Sequence, residues 1–319
     1  MKEVVAISCV RNEADIIEAF VRHTLTHVDK LLIIDNASTD QTVSILRSLQ
    51  AEGLPLVLKH DDGLGHYHSR RMNLLLDEAV TQPQVAWVVP LDADEFIMGE
   101  QPLRDRLLAE PEVVLQWRWR MFVPTPQDNP AETNPVLRIR HRVSNYPIDW
   151  FKVLVPSSLA RRGNTMIEQG NHAVIVDGQR QAAQTLTNLE LAHFPVRTAA
   201  QYASKSIIGY LQYKVQPDWE RSFGFHRIDP YERSLASYTA FEREISRIAS
   251  IFALTAEQAA TFLEDLREDP LPYRGGPLRY YTTTPGLDHL ITSLAKYADR
   301  LAAETVAAHL AEKRGGFTA

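Results

Sequence analysis

The chain has 319 residues, of which 45% are hydrophobic and 23% charged, with a formal net charge of −6. These figures exclude a disordered or collagen-like chain and leave room for one large domain or two smaller ones. The acidic balance lacks the global basic field of a nucleic-acid binder, so no nucleic-acid partner is expected. The single Cys9 allows no internal disulfide and no multi-cysteine metal site, and it fits a reducing compartment.

Met1–Val10 reads as a first strand and not as a signal peptide, because no small-residue cleavage site follows its apolar run. Helical spacing follows over Glu13–Thr26, with Ile16, Ile17, Phe20, Val21 and Leu25 on one side. Leu31–Ile34 is a continuously apolar strand, Thr42–Gln50 a helix, Leu54–Leu58 a third strand, Ser69–Val80 a third helix and Val85–Leu91 a fourth strand. This alternation predicts a mainly parallel sheet covered on both faces.

Strand-like runs then occupy Val113–Phe122, Val136–Val143, Trp150–Val155, Ala173–Val176 and Leu186–Ala192, with a proline-rich loop over Pro124–Pro135. Beyond residue 198 the pattern is helical: Ala199–Tyr213, Tyr231–Phe252, Ala256–Glu268 and Gly286–Lys313, with a loop at Asp269–Pro277 and a frayed tail at Gly315-Gly316. The expected division is 1–195 and 196–319. No apolar stretch approaches the roughly 18 residues of a membrane span. A cytoplasmic protein is expected, with peripheral membrane contact allowed.

Open α/β sheets bind ligands beyond the carboxyl ends of their strands. The residues there are Arg11, Asn12 and Glu13; Asp35–Asp40; His60, Asp61 and Asp62; and Asp92-Ala93-Asp94-Glu95. In an extended backbone Asp92 and Asp94 share one side. There they suit a divalent cation such as Mg²⁺ or Mn²⁺, or one holds the metal while the other takes a sugar or ribose hydroxyl. No Gly-x-Gly-x-x-Gly follows the first strand and no Gly-Lys-Ser/Thr loop is present, which disfavours a dinucleotide dehydrogenase and a P-loop enzyme. His60, His66 and His68 match no zinc spacing and read as loop residues. Trp117, Trp119 and Trp150 read as core or half-buried strand residues, although tryptophans also stack on sugar rings.

Val5–Glu13, Leu32–Asp40, Arg71-Met72-Asn73 and Leu91–Glu95, in this order, resemble the motifs of glycosyltransferase family 2. The resemblance covers about residues 3–98. It implies the GT-A fold, a mainly parallel mixed sheet flanked by helices, here with a C-terminal helical extension. It also implies a nucleotide-diphosphate sugar donor, a divalent metal and inversion at the anomeric carbon. Asp35 and Arg11 are then expected on the nucleoside, with Asn12, Glu13, Asp62 and Arg71 beside them, and Asp92 and Asp94 on metal and ribose.

His193–Arg197 followed by Gln201, Lys205 and Gly209 is similar to a segment of family 2 and family 92-like transferases. Arg197, Gln201 and Lys205 are spaced by four and share a helix face. A histidine with two cations suits a diphosphate: His193 completes the metal shell while Arg197 and Lys205 neutralise phosphate. His172 is the rival metal or sugar contact, and Lys152 the alternative diphosphate clamp. The Glu-Asp pair that usually supplies the family's catalytic base is not recognisable. Asp149 and Glu168 lie in the corresponding part of the chain and are the candidates for it. The expected activity is sugar transfer to a carbohydrate or glycoconjugate acceptor, in polysaccharide or glycoconjugate synthesis. The alternatives are a non-catalytic nucleotide- or sugar-binding module of the same fold, and a nucleotidyltransferase, whose glycine-rich opening loop is missing from Cys9–Ala14.

Overall fold

The computed structural model describes residues 1–216, 225–280 and 285–315. The N-terminal alternation forms as expected: β1 (Glu3–Val10), α1 (Ile17–Thr24), β2 (Lys30–Asp35), α2 (Thr42–Ala51), β3 (Leu56–His60), α3 (His68–Val80) and β4 (Val85–Pro90). β1 pairs in parallel with both β2 and β4, and β2 in parallel with β3. Alternate residues of β1 serve two cores. Val4 and Ala6 pack with α1 and α2, while Val5 and Ile7 pack with Met72, Leu75 and Leu76 of α3. Burial on both faces is why these strands carry unbroken apolar runs.

The next region runs β5 (Glu95–Met98), α4 (Leu103–Ala109), β6 (Leu115–Val123), α5 (Pro135–Arg138), β7 (His141–Val143), β8 (Phe151–Pro156), α6 (Ser157–Ala160), β9 (Thr165–Ile167), a 3₁₀ turn at Gln169–Asn171, β10 (Val174–Val176), β11 (Gln179–Arg180) and β12 (Gln184–His193). One ten-stranded sheet has the order β13-β7-β6-β8-β4-β1-β2-β3, where β13 is Leu266–Glu268, and β12 pairs with β5 and β6. β8 is antiparallel to β4 and β6, whereas β12 is parallel to β6, so the sheet is mixed beyond its parallel half. The strand expected over Val136–Val143 is divided. The Asn134 side chain caps the backbone N–H of Val136 and Pro135 takes the first helical turn, so a short helix precedes β7.

The C-terminal region comprises α7 (Ala199–Lys214), α8 (Phe225–Ala236), α9 (Tyr238–Arg243), α10 (Ile245–Ser250), α11 (Ala256–Thr261) and α12 (Leu287–Gly315). The single helix expected over Tyr231–Phe252 is three. Ser237 leaves the helical conformation and its side chain accepts from the Ala240 N–H, starting a new helix. The helix expected over Ala256–Glu268 stops at Thr261, because Leu266–Glu268 finds the free edge of β7 and pairs antiparallel with it. The expected tail begins where α12 ends at Gly315, and Gly316 lies outside the described residues. Among the described residues no helix is long and apolar enough to cross a membrane.

α12 crosses the carboxyl ends of the parallel strands. Lys296 reaches the Thr39 carbonyl, Arg300 the carbonyls of Ala37 and Asp62, and the buried Tyr297 ring lies 5.0 Å from the Arg11 guanidinium. Arg11, Asn36 and His68 therefore open onto a cavity of about 330 Å³ that the C-terminal helices help to enclose.

Candidate functional site

Asp92 and Asp94 follow β4 and both line this cavity. Asp92 Oδ2 accepts from Lys152 Nζ at 2.7 Å. Its Oδ1 meets His68 Nε2 at 3.1 Å and Asn171 Nδ2 at 3.3 Å. Asp94 Oδ2 accepts from Lys205 Nζ at 2.6 Å, and Asp94 Oδ1 lies 3.6 Å from His193 Nε2. Burial works against the charge on both aspartates. Lys152 and His68 outweigh it for Asp92, and Lys205 and His193 for Asp94, so both stay below the usual carboxylate range.

Neighbouring Glu95 is fully buried, 2.9 Å from Lys152 Nζ, and takes the Asp92 backbone N–H. Burial raises it to about 8, against Lys152 and with Asp92. Burial would discharge Lys152, but Asp92 and Glu95 hold it above its ordinary value. Burial also neutralises His193, at about 4, and His172, at about 4.

Glu13 binds Lys205 at 3.0 Å and Arg197 at 2.6 Å. Arg197 also holds Asp15 through Nε and Nη2, at 2.6 and 2.8 Å, and its side chain is fully buried. Of the helix face expected to carry Arg197, Gln201 and Lys205, Lys205 lines the cavity, while Arg197 precedes α7, whose N-cap is Thr198, and its guanidinium is committed to the acids of the Glu13–Ile16 turn. That turn is why α1 begins at Ile17 and not at Glu13. Gln201 accepts from the Arg197 backbone N–H.

At the ends of β1 and β2, Asn12 stitches one loop to the other. Its Oδ1 accepts from the Thr39 N–H at 2.7 Å and its N–H donates to Ser38 Oγ at 2.9 Å. Arg11 Nε and Nη2 are buried without a partner, and burial lowers Arg11 to about 10. Asp35 is buried and does not line the cavity. Its Oδ2 accepts from the Ser38 N–H and meets His60 Nδ1, each at 3.1 Å, and its Oδ1 has no partner. Asp62 is exposed and bonds His60. Arg71 lines the cavity, but its guanidinium holds Asp61 and the carbonyls of Gly63 and Gly65.

Asp149 pairs with Arg118 and Glu168 with Arg180, both half exposed to solvent and neither on the cavity wall. His172 is on that wall, with Nδ1 2.8 Å from the Phe151 carbonyl. His193, Trp119, Trp150 and His172 form a continuous aromatic surface. The His193 and Trp119 rings stack at 3.8 Å, and Trp150 lies 5.1 Å from His172. The roles of His68, Asn171 and Glu95 escaped the sequence reading. Glu95 stood in the Asp-x-Asp segment without a role, and no spacing pairs Asn171 with an aspartate 79 residues away.

Among the described residues no three His, Cys, Asp or Glu groups converge on one point. The charge balance nevertheless favours a cation. With Glu95 protonated, Glu13, Asp15, Asp92 and Asp94 face Lys152, Lys205 and Arg197, an excess of one carboxylate when those four are ionised. Asp94 Oδ1 and His193 Nε2 are the donor pair that a hard divalent ion would share with phosphate oxygens and water, which suits Mg²⁺ or Mn²⁺.

Residues 5–163 match the family model described as Glycosyl transferase family 2, which supports a glycosyl transfer function. No curated protein sequence matches the chain. Among solved structures, S. aureus TarS 1-349 in complex with UDP is 13% identical, with 81% of this chain and 77% of that chain covered and a TM-score of 0.36. The mannosyltransferase PcManGT from Pyrobaculum calidifontis, in complex with GDP-Man and Mn²⁺, is 17% identical, with 82% and 77% covered and a TM-score of 0.39. A putative glucose-1-phosphate thymidylyltransferase from Bacillus anthracis is 12% identical, with 49% and 72% covered and a TM-score of 0.32. Likenesses this distant carry no argument about substrate or mechanism.

Proposed function

From the premise that the chain, over residues 5–163, belongs to glycosyl transferase family 2, we propose that it is a metal-dependent, inverting transferase. It moves a sugar from a nucleotide-diphosphate sugar to a carbohydrate or glycoconjugate acceptor. The observation that carries this reading is the pairing of an Asp-x-Asp with two lysines in one cavity. Lys205 binds Asp94, Lys152 binds Asp92, and Glu13, which shares Lys205, leaves the cluster without spare positive charge.

A diphosphate brought to this cluster alone would be repelled. Asp94 and His193 would hold a divalent ion, which would supply the missing charge and Lewis-acid stabilisation of the departing diphosphate. Lys205 then moves its hydrogen bond from carboxylate to phosphate, with no change in its own charge. Asp92, fixed by Lys152, His68 and Asn171, presents a rigid acceptor to a ribose or sugar hydroxyl. Arg11 carries unpartnered polar atoms on the cavity wall at the end of β1, as a nucleoside site needs, whereas Asp35, at the end of β2, is not on that wall.

The test is calorimetric titration of UDP, GDP, ADP and CMP with and without Mn²⁺, followed by donor hydrolysis with and without candidate acceptors. Mn²⁺-dependent nucleoside diphosphate binding with donor turnover is expected. Binding without turnover identifies a binding module, and absence of both overturns the reading.

A further inference from the structure

The carboxylates on the cavity wall are Glu13, Asp92 and Asp94, and each already carries a lysine or arginine within 3.0 Å. Asp92 and Asp94, held below the usual carboxylate range, are poor proton acceptors, and both oxygens of Glu13 are engaged, Oε1 by Lys205 and Oε2 by Arg197. Asp149 and Glu168 lie off the wall. We propose that His172 is the general base: its Nε2 takes the proton of the acceptor hydroxyl as that oxygen attacks the donor's anomeric carbon. The proposal rests on the transferase reading above.

The tautomer follows from the hydrogen bond. A carbonyl only accepts, so the Nδ1 that lies 2.8 Å from the Phe151 oxygen carries the hydrogen, and Nε2 keeps its lone pair. Nε2 has no hydrogen-bond partner among the described residues. His68 and His193, by contrast, turn Nε2 toward Asp92 and Asp94.

The backbone is shaped to place this ring. Gly170 and Asn171 adopt successive left-handed conformations, with φ of 79° and 61°. A Cβ on Gly170 would come within 2.8 Å of the imidazole, so that position admits only glycine while His172 stays where it is. Asn171 meanwhile holds Asp92. One turn thus fixes an aspartate of the Asp-x-Asp and aims the imidazole. The surface running from His193 through Trp119 and Trp150 to His172 gives a sugar ring an apolar wall on which to lie between the two ends of the site. Burial, then the charge of Lys152, keeps His172 at about 4. It is neutral at pH 7 and about as basic as a free carboxylate.

In the step, the acceptor O–H proton passes to Nε2 and the oxygen lone pair forms the new bond to the anomeric carbon. The bond from that carbon to the phosphate oxygen breaks, and its electron pair leaves with the nucleoside diphosphate. The imidazolium returns its proton to solvent.

The experiment measures Mn²⁺-dependent hydrolysis of UDP-glucose, UDP-N-acetylglucosamine and GDP-mannose, with water as acceptor, in the full chain and in His172→Gln, His172→Ala and Gly170→Ala. Nucleoside diphosphate affinity and thermal melting are measured in parallel. His172→Gln is expected to lose about 100-fold or more in turnover, the scale of general-base catalysis, with nucleotide affinity within about threefold. Added imidazole is expected to restore His172→Ala by about tenfold or more, a rescue that lost packing would not show. Turnover within about threefold of the parent in both His172 variants overturns the proposal, as does a joint fall in affinity and turnover without rescue. A parent protein that neither binds nor hydrolyses any of these nucleotides overturns the transferase reading itself, and the base with it.

Discussion

Lys205 Nζ on α7 sits 2.6 Å from Asp94 Oδ2, so the C-terminal region supplies the countercharge for the second aspartate of the Asp-x-Asp. The same ammonium bridges to Glu13 at 3.0 Å, tying the ends of β1 and β4 to one lysine. On the proposed reading its charge would compete with a metal for Asp94 and would attract a phosphate once a metal was bound.

Lys205→Ala is accordingly expected to act in opposite directions on two ligands. Affinity for a nucleoside diphosphate falls by about tenfold or more, the scale of a hydrogen bond to a charged group, while the free nucleoside is barely affected. Mn²⁺ binding in the absence of nucleotide strengthens. Calorimetry on the three ligands checks this. Equal losses for nucleoside and diphosphate would remove Lys205 from the phosphate site.

Asp94→Asn keeps the shape of the side chain and removes its charge. The increment that Mn²⁺ adds to nucleotide binding is expected to disappear, with the melting temperature little changed. An undiminished Mn²⁺ increment would place the metal elsewhere.

Arg197 answers to stability and not to phosphate. Its buried guanidinium neutralises Glu13 and Asp15, and Arg197→Ala leaves both acids buried beside one remaining cation, Lys205. A loss of about 3–5 kcal/mol is expected, the scale for breaking a buried ion pair. Urea unfolding measures it, and a change below about 1 kcal/mol would refute the pairing.

His23 and His27 predict the acid limb of stability. His23 Nε2 donates to the Ile97 carbonyl and its Nδ1 accepts from the Arg274 N–H, while His27 Nδ1 accepts from the Leu103 N–H. Burial lowers them to about 4 and about 3, from 6.5. Both folded values lie below the unfolded ones, so the unfolded chain takes up protons first. Their contribution is intact above pH 6.5 and is lost progressively as pH falls toward 3, at about 1.4 kcal/mol per pH unit for each histidine. Melting at pH 7.5 and 5.0 is expected to show the drop, and His27→Gln to flatten it. An unchanged slope in that variant would exclude His27 as a source.

The parallel half of the sheet was legible because β1, β2 and β4 are covered on both faces and carry apolar runs that few other structures tolerate. The Asp-x-Asp was legible because it closes such a run. Contacts across the sequence were not. Spacing placed Arg197, Gln201 and Lys205 on one helix face, but α7 starts only at Ala199 after the Thr198 cap, and Arg197 turns instead to Asp15, 182 residues away. Leu266–Glu268 carried no strand pattern of its own and became one through the open edge of β7. Ser237 hid a helix start inside an otherwise periodic stretch.

The ribosome makes the acids of this site long before their counterions. Glu13, Asp15 and Asp94 are in place nearly two hundred, and at least one hundred, residues ahead of Arg197 and Lys205, and the Thr39 carbonyl 257 residues ahead of Lys296. A chain cut before Arg197 would therefore keep the acids Glu13, Asp15 and Asp94 and lose the two cations that face them, Arg197 and Lys205.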